Sequence, residues 1–485
     1  MPRICSMLQP PNATTQTVST PDDTSPADAY ESAIRRMEEL NLRYRALVSI
    51  YPQALRWTSA PPNLPNGTLL YNLAVEKRLV ILKDIIDIQG QRTGSGSACF
   101  QQHTAAQTAT LVQRLWQHGA ITAAKAHCTE FAFGAWGTNA HLGTPLNPWS
   151  GDQPLTPGGS SSGCAVALAV GMAPFAVGTD TGGSARLPAA WCGLTTLKTS
   201  HGRISRHGVL MQSPSFDTIS PMARSAKDVG TLYRVLTGPD PNDPATLDLP
   251  PASSNTPHTL RGMLIGRPPA GQLAGVCPDI LANYERSLED LAAAGANIRT
   301  LQLPHGLDEV SERHGRLVGI EAYRLLGHFA RDNSLPLDAA VRQRLLASEP
   351  YLDRYHAFME ERAAIYDKHI SLFYDIDILV MPTTAHPPIP LADIEDYPVP
   401  TRLTRYANFF NLAVLALPNG FTSAGLPTSI QFMAPPYEEE RVLAAGTLYQ
   451  QLTAWHLAWP QASKTRDSSE STLAECRKGC PAVRR

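Results

Sequence analysis

The chain is 485 residues long, 43% hydrophobic and only 17% charged, with a formal net charge of −2. That length supplies one large or two ordinary globular domains with ample core, and the charge balance excludes both a basic footprint for nucleic acid and an acidic tail. The longest apolar run, Cys164–Gly178, is shorter than a membrane span and is interrupted by Gly171 and Pro174, so no membrane crossing is expected.

Residues 1–28 are rich in Pro, Ser and Thr and lack the apolar core of a secretory signal; they read as a disordered leader. From Asp28 to Ile50, Ala33, Met37, Leu40, Leu42 and Leu47 recur near helical spacing between charges, which predicts an amphipathic helix or helical pair. A Pro-rich connection (Ala60–Gly67) leads to "KRLVILKDIIDIQG" (Lys77–Gly90), where four apolar residues before Lys83 predict a buried strand and "DIQG" a turn. Thr104–Ala120 reads as a helix, and Ile121–Ala132 as a strand and loop. Ser225–Gly238 reads as a helix closed by Gly238, followed by a turn-rich connection to Pro257. A strand–helix–strand unit runs from Leu260 to Pro304, a charged helical region from Ser311 to His369, and a buried strand from Tyr374 into a Pro-rich loop. Helices alternating with short apolar strands imply an α/β fold, a sheet with helices on both faces. Residues 463–485 read as a flexible tail.

Eight scattered cysteines look like reduced thiols, so the expected compartment is cytoplasmic. Cys476 and Cys480 in the tail have no accompanying His or second Cys pair, and no metal is assigned to them or elsewhere.

Chemistry concentrates in "LTPGGSSSGCAVALAVGMAPFAVGTDTGGSARLPAAWCG" (Leu155–Gly193). Its second cluster follows the apolar "PFAV". A Thr-Gly-Gly-Ser loop there can turn several N–H groups into one concavity, suited to an oxyanion, with Ser184 at its end as a hydroxyl nucleophile; read alone, it is equally an ordinary Gly-rich turn. The first cluster reads as a glycine turn opening a short helix of small residues. It also contains "GSSSG" (Gly159–Gly163), which would make Ser161 a nucleophile elbow, but a turn-rich stretch precedes it where an elbow needs a strand. A serine nucleophile needs a base. His201 and His207 lie in a polar stretch and read as solvated. Lys83, at the end of "LVIL", is the other candidate: such a lysine ordinarily snorkels to water, and only burial would make it a base.

These segments resemble the amidase signature family. The Gly/Ser core (Pro157–Lys198) is present, with Ser160 and Ser184 24 residues apart. "LKDIIDIQG" (Leu82–Gly90) is similar to the family's lysine motif, and "EFAFGAWGTNAHLGTPLNP", "SPSFDTISPMARSAKDV" and the closing segment Leu415–Gly446 also fit. The resemblance implies the amidase signature fold, a single large domain over 29–462 with a mixed central β-sheet covered by helices on both faces, with Ser184 as nucleophile, Ser160 as a bridging serine preceded by a cis peptide bond, and Lys83 as base. The N–H groups of Thr181, Gly182, Gly183 and Ser184 would form the oxyanion hole, with Asp180 and Arg186 bracing the loop and Asp84 turned away from Lys83. Ile85 stands where an asparagine is usual, and "KTS" (Lys198–Ser200) replaces Lys-Pro-Thr. The expected activity is hydrolysis of a carboxamide, carbamate or urea-type C–N bond without metal or organic cofactor. The alternative is the amidase (A) subunit of a tRNA-dependent amidotransferase, which releases ammonia from glutamine for partner subunits. The expected partners are a small-molecule amide or carbamate substrate and, for assembly, a second copy in a homodimer; neither direct nucleic-acid contact nor a membrane is expected. Leu303–Tyr406 and the loop Trp136–His141 are expected to shape the substrate pocket; Phe131, Phe133, Trp136 and Tyr406 are read as pocket lining or as core.

Overall fold

The computed structural model describes residues 25–55, 70, 73–251 and 256–460. Most of the leader, the Ala60–Gly67 connection and the tail with Cys476 and Cys480 lie outside the described residues. Helix α1 (Pro26–Tyr44) begins where Ser25 accepts the Asp28 N–H, ahead of the expected domain boundary. It ends at Arg45, whose left-handed φ of 50° turns the chain into strand β1 (Leu47–Leu55). The second half of the expected helical pair is therefore a strand, paired antiparallel with a later strand, and Leu42 points to solvent at 85% exposure. The cause is tertiary: pairing on the sheet edge outweighs a weak helical period.

Strand β2 (Leu79–Lys83) is buried along its whole length. Helix α2 (Thr110–Gln117) starts later than expected, after an irregular segment, and leads into β3 (Ile121–Ala126). Next come α3 (Ser162–Ala169), β4 (Phe175–Asp180), α4 (Arg186–Cys192), β5 (Thr195–Lys198), β6 (Thr218–Ala223) and α5 (Ala226–Leu236). The strand–helix–strand unit is β7 (Leu264–Arg267), α6 (Pro278–Ala293) and β8 (Asn297–Thr300), its strands parallel. Helices α7 (Leu307–Arg331), α8 (Ala339–Leu346) and α9 (Tyr355–Ile370) make up the helical region, followed by β9 (Ile378–Pro382). The short α10 (Arg405–Phe409), the hairpin β10 (Ala413–Phe421) and β11 (Pro427–Ala434), and α11 (Glu439–Thr453) complete the domain.

The strands form one mixed sheet in the order β1-β3-β2-β4-β6-β5-β10-β11-β9-β7-β8. Alternation along β2 shows why both of its faces are apolar. Leu79 and Ile81 pack with α3 on one side, while Val80 and Leu82 pack with α2 and α5 on the other. This is a single α/β domain with helices on both faces. The feature that matters for function is that β2 runs parallel to β4, Leu82 opposite Val177, so both strands deliver their C-terminal ends to one edge. Lys83 leaves the first and the Thr181–Ser184 loop leaves the second. Among the described residues no helix is long and apolar enough to cross a membrane.

Candidate active site

Lys83 is fully buried at the end of β2 and does not reach water. Its Nζ stands 2.7 Å from Ser160 Oγ and 2.8 Å from Thr179 Oγ1. Burial lowers the amine from its ordinary value of 10.5, with the nearest thiols and the Asp217 and Asp180 carboxyls pulling weakly the other way. Asp84 faces elsewhere: it pairs with Lys125 at 3.6 Å and accepts the Gly94 N–H at 3.1 Å. Burial raises the Asp84 carboxyl to about 6, against the pull of Lys125.

The Gly159–Ser160 peptide is cis, as the resemblance implies, and Ser160 is fully buried. Ser161, one residue on, is also buried. Its hydroxyl donates to the Thr179 carbonyl at 3.3 Å and its N–H to the Ser184 carbonyl at 3.0 Å. It thus ties the first cluster to β4 and to the loop carrying Ser184. No strand directly precedes it among the described residues, so an elbow at Ser161 lacks its support.

Ser184 is half-buried at the end of its loop, and its hydroxyl makes no hydrogen bond among the described residues. The structure therefore joins Lys83 to Ser160 directly and joins the two clusters through Ser161, but does not close a Ser160–Ser184 hydrogen bond. The loop itself is tightly held. Asp180 accepts the Gly183 N–H at 2.8 Å, Arg186 Nε at 2.9 Å and Asn408 Nδ2 at 2.9 Å. Burial would raise the Asp180 carboxyl, yet Arg186 and Asn408 hold it well below the usual carboxylate range. Asp180 and Arg186 are thus braces, as expected. Of the four N–H groups expected to form an oxyanion hole, Gly183 is already committed to Asp180, whereas Thr181, Gly182 and Ser184 have N–H groups without partners among the described residues. Gly183 needs its lack of a side chain, having φ +120° and a would-be Cβ only 2.7 Å from Thr404 Cβ.

Several residues here left no sequence signal of their own. Thr179 is the second hydroxyl partner of the lysine. Asp217 accepts the Thr181 hydroxyl at 2.6 Å, fixing the start of the loop. Arg186 donates onward to the Thr404 carbonyl, Gln431 and Asn408. The position of Thr179 on β4, which adjoins β2, could have suggested it; the others are reached only through the fold. His201 is not solvated as expected: it is half-buried between Arg206 and the Pro214 carbonyl, and burial lowers it to about 4. The aromatic residues are core. Phe131 packs on Phe100 and Phe329, Trp136 stacks on Trp191, and Tyr406 hydrogen-bonds His369 at 2.8 Å. Among the described residues no group of three His, Cys, Asp or Glu side chains is placed to hold a metal.

A buried amine on a hydroxyl, beside a loop of free N–H groups and an accessible serine, can move a proton and receive an oxyanion. The comparisons point the same way. The Amidase family model matches residues 28–443. The chain is 34% identical over 409 residues to the A subunit of glutamyl-tRNA(Gln) amidotransferase from Roseiflexus castenholzii, covering 78% of this chain and 83% of that one. Its fold is similar to that of the corresponding A subunit from Thermotoga maritima, with a TM-score of 0.76 and 24% identity over 91% of this chain and 95% of that one. It is also similar to a peptide amidase from Stenotrophomonas maltophilia, with a TM-score of 0.72 and 24% identity over 91% and 96% of the two chains.

Proposed function

The chain belongs to the amidase signature family, enzymes of non-peptide amide C–N bonds, and on that premise we propose that it cleaves a carboxamide through an acyl-enzyme on Ser184. The observation that carries this reading is the 2.7 Å contact between a fully buried Lys83 and Ser160. Lys83, its amine made easier to deprotonate by desolvation, takes a proton from Ser160 as Ser160 takes one from Ser184. The Ser184 oxygen adds to the carbonyl, and the N–H groups of Thr181, Gly182 and Ser184 hold the developing oxyanion. The proton returns along the same path to the departing nitrogen. Water then attacks the ester, using the same base to regenerate the serine.

Of the two settings for this chemistry, the ammonia-releasing component of an amidotransferase fits the relatives better than the free-standing hydrolase. Curated relatives at 32–34% identity carry that name, one of them from Pseudomonas aeruginosa over 90% of this chain and 96% of its own length. Glutamine is then the amide cleaved, and the ammonia passes to partner subunits. The free-standing reading retains one argument: Ile85 occupies the place of a customary asparagine beside the lysine. Ammonia release from L-glutamine, measured alone and after pull-down from the native host, decides between them. Glutaminase activity that requires copurifying subunits supports the first setting. Turnover of aryl or aliphatic amides by the isolated chain, with no glutamine cleavage in any complex, supports the second. Failure of a fluorophosphonate to label Ser184 overturns both.

A further inference from the structure

Two side chains that the mechanism above does not use pack over Gly182 of the nucleophile loop. His314, on α7, is 1% exposed, and neither of its ring nitrogens forms a hydrogen bond among the described residues. Its ring lies edge-on to Phe216 at 4.7 Å and reaches the nucleophile loop: Cε1 is 3.2 Å from where a Cβ on Gly182 would stand. Burial first, then the charges of Arg405 and Arg362, keep it neutral, well below its ordinary value, with the Thr181 backbone and Asp180 pulling weakly the other way. Arg405, at the start of α10, crosses the same glycine, with Cγ at 3.5 Å and Nε at 3.7 Å from that point. Among the described residues its guanidinium donates only to Ser311, to the carbonyl at 3.2 Å and the hydroxyl at 3.4 Å.

No carboxylate pairs with Arg405 among the described residues. The acidic groups on adjoining segments are engaged: Asp180 with Arg186, Asp308 with Arg402, Glu312 with Arg316. A half-buried arginine without a countercharge is left short of a partner unless something else supplies one. Here it crosses Gly182 of the loop proposed above to hold the oxyanion. The neutral imidazole beside it, turned toward the Thr181 backbone, adds a second group able to hydrogen-bond.

We infer that Arg405, with His314, is the specificity determinant for a carboxylate on the substrate, so that the favoured amides carry an acid group within a few bonds of the scissile carbonyl. This deepens the amide-hydrolase reading and rests on it for the identity of the scissile group; glutamine belongs to the class, and so do monoamides of short dicarboxylic acids. The guanidinium fork suits a carboxylate in two parallel hydrogen bonds.

Calorimetric titration tests the pocket without turnover. The probes are glutaric acid monoamide and pentanamide, which share an amide and a chain length and differ in the terminal carboxylate. In the Ser184→Ala protein the monoamide should bind about 10- to 100-fold more tightly, the range of a hydrogen-bonded charged group. Adding Arg405→Gln should bring the ratio near unity, and Arg405→Lys should restore part of it. Equal affinities in the Ser184→Ala protein, no binding of the monoamide, or a ratio indifferent to Arg405→Gln overturns the inference. Should Arg405→Gln not fold, the ratio in the Ser184→Ala protein and its decline with added salt decide the matter. Fluorophosphonate labelling of the unaltered protein reads the other claim separately. Labelling without carboxylate preference removes only this pocket, and preference without labelling removes only the proposed chemistry.

Discussion

Replacing Lys83 probes the proposed chemistry where its energetics are largest. An amine at the ordinary 10.5 is neutral in only about one molecule in a thousand at pH 7.5, which forfeits about 4 kcal/mol of driving force for a base. Each unit of lowering recovers tenfold. The structure lowers it by enclosing Nζ completely and leaving it two hydroxyl partners, with Asp84 turned to Lys125 and, among the described residues, no carboxylate in salt-bridge contact. The reactive form is the deprotonated one, so Ser184 reactivity should rise with pH through the folded-state value, on a limb lying below 10.5. Fluorophosphonate inactivation measured across pH reads this limb without knowledge of the substrate. Lys83→Ala should erase it and slow inactivation by about 10²–10⁴-fold, the range of a lost general base. Lys83→Arg should not rescue it, since a guanidinium stays charged. A limb centred at or above 10.5, or an unchanged profile in Lys83→Arg, refutes the reasoning.

Ser184→Ala should abolish fluorophosphonate labelling while keeping the fold; Ser161→Ala should remain labelled at Ser184, and mass spectrometry of the adduct distinguishes the two serines. Gly183→Ala forces a side chain against Thr404 at a φ of +120°, and should lower stability by about 1–3 kcal/mol in thermal melts and slow labelling as the loop shifts. Asp180→Asn leaves buried Arg186 without its charge and should destabilise by about 3–5 kcal/mol in denaturant titrations. The sign with pH follows from the depressed Asp180 carboxyl: its contribution is complete above the ordinary 3.8 and drains away as pH falls from there toward the folded value, so Asp180→Asn should flatten the acid limb of the stability curve.

The parts of the site that sequence revealed were those written in contiguous residues. "LVIL" before Lys83 is a fully buried strand, the Gly/Ser clusters are loops, and the small residues after Ser161 open α3. What sequence hid is set by packing between distant segments. His314, in a charged helical stretch, and Arg405, beyond the Pro-rich loop, both lie in the Leu303–Tyr406 region expected to shape the pocket, yet nothing singles them out until α7 and α10 close over Gly182. His201 looked solvated because its neighbours are polar, yet Arg206 and the Pro214 carbonyl enclose it. The edge strand β1 was hidden because the turn at Arg45 uses a non-glycine residue in a left-handed conformation, and the preceding helix therefore carried no visible stop.

Arg186 sets a temporal order on the appearance of activity. The guanidinium that holds Asp180, and through it the loop of Ser184, also binds Thr404, Asn408 and Gln431, which lie 218, 222 and 245 residues further along. On the ribosome the lysine, both serines and the glycines all emerge in the first two-fifths of synthesis, yet the clamp that shapes them arrives near the end. A growing chain therefore carries every group of the proposed relay long before it carries the clamp that shapes their loop.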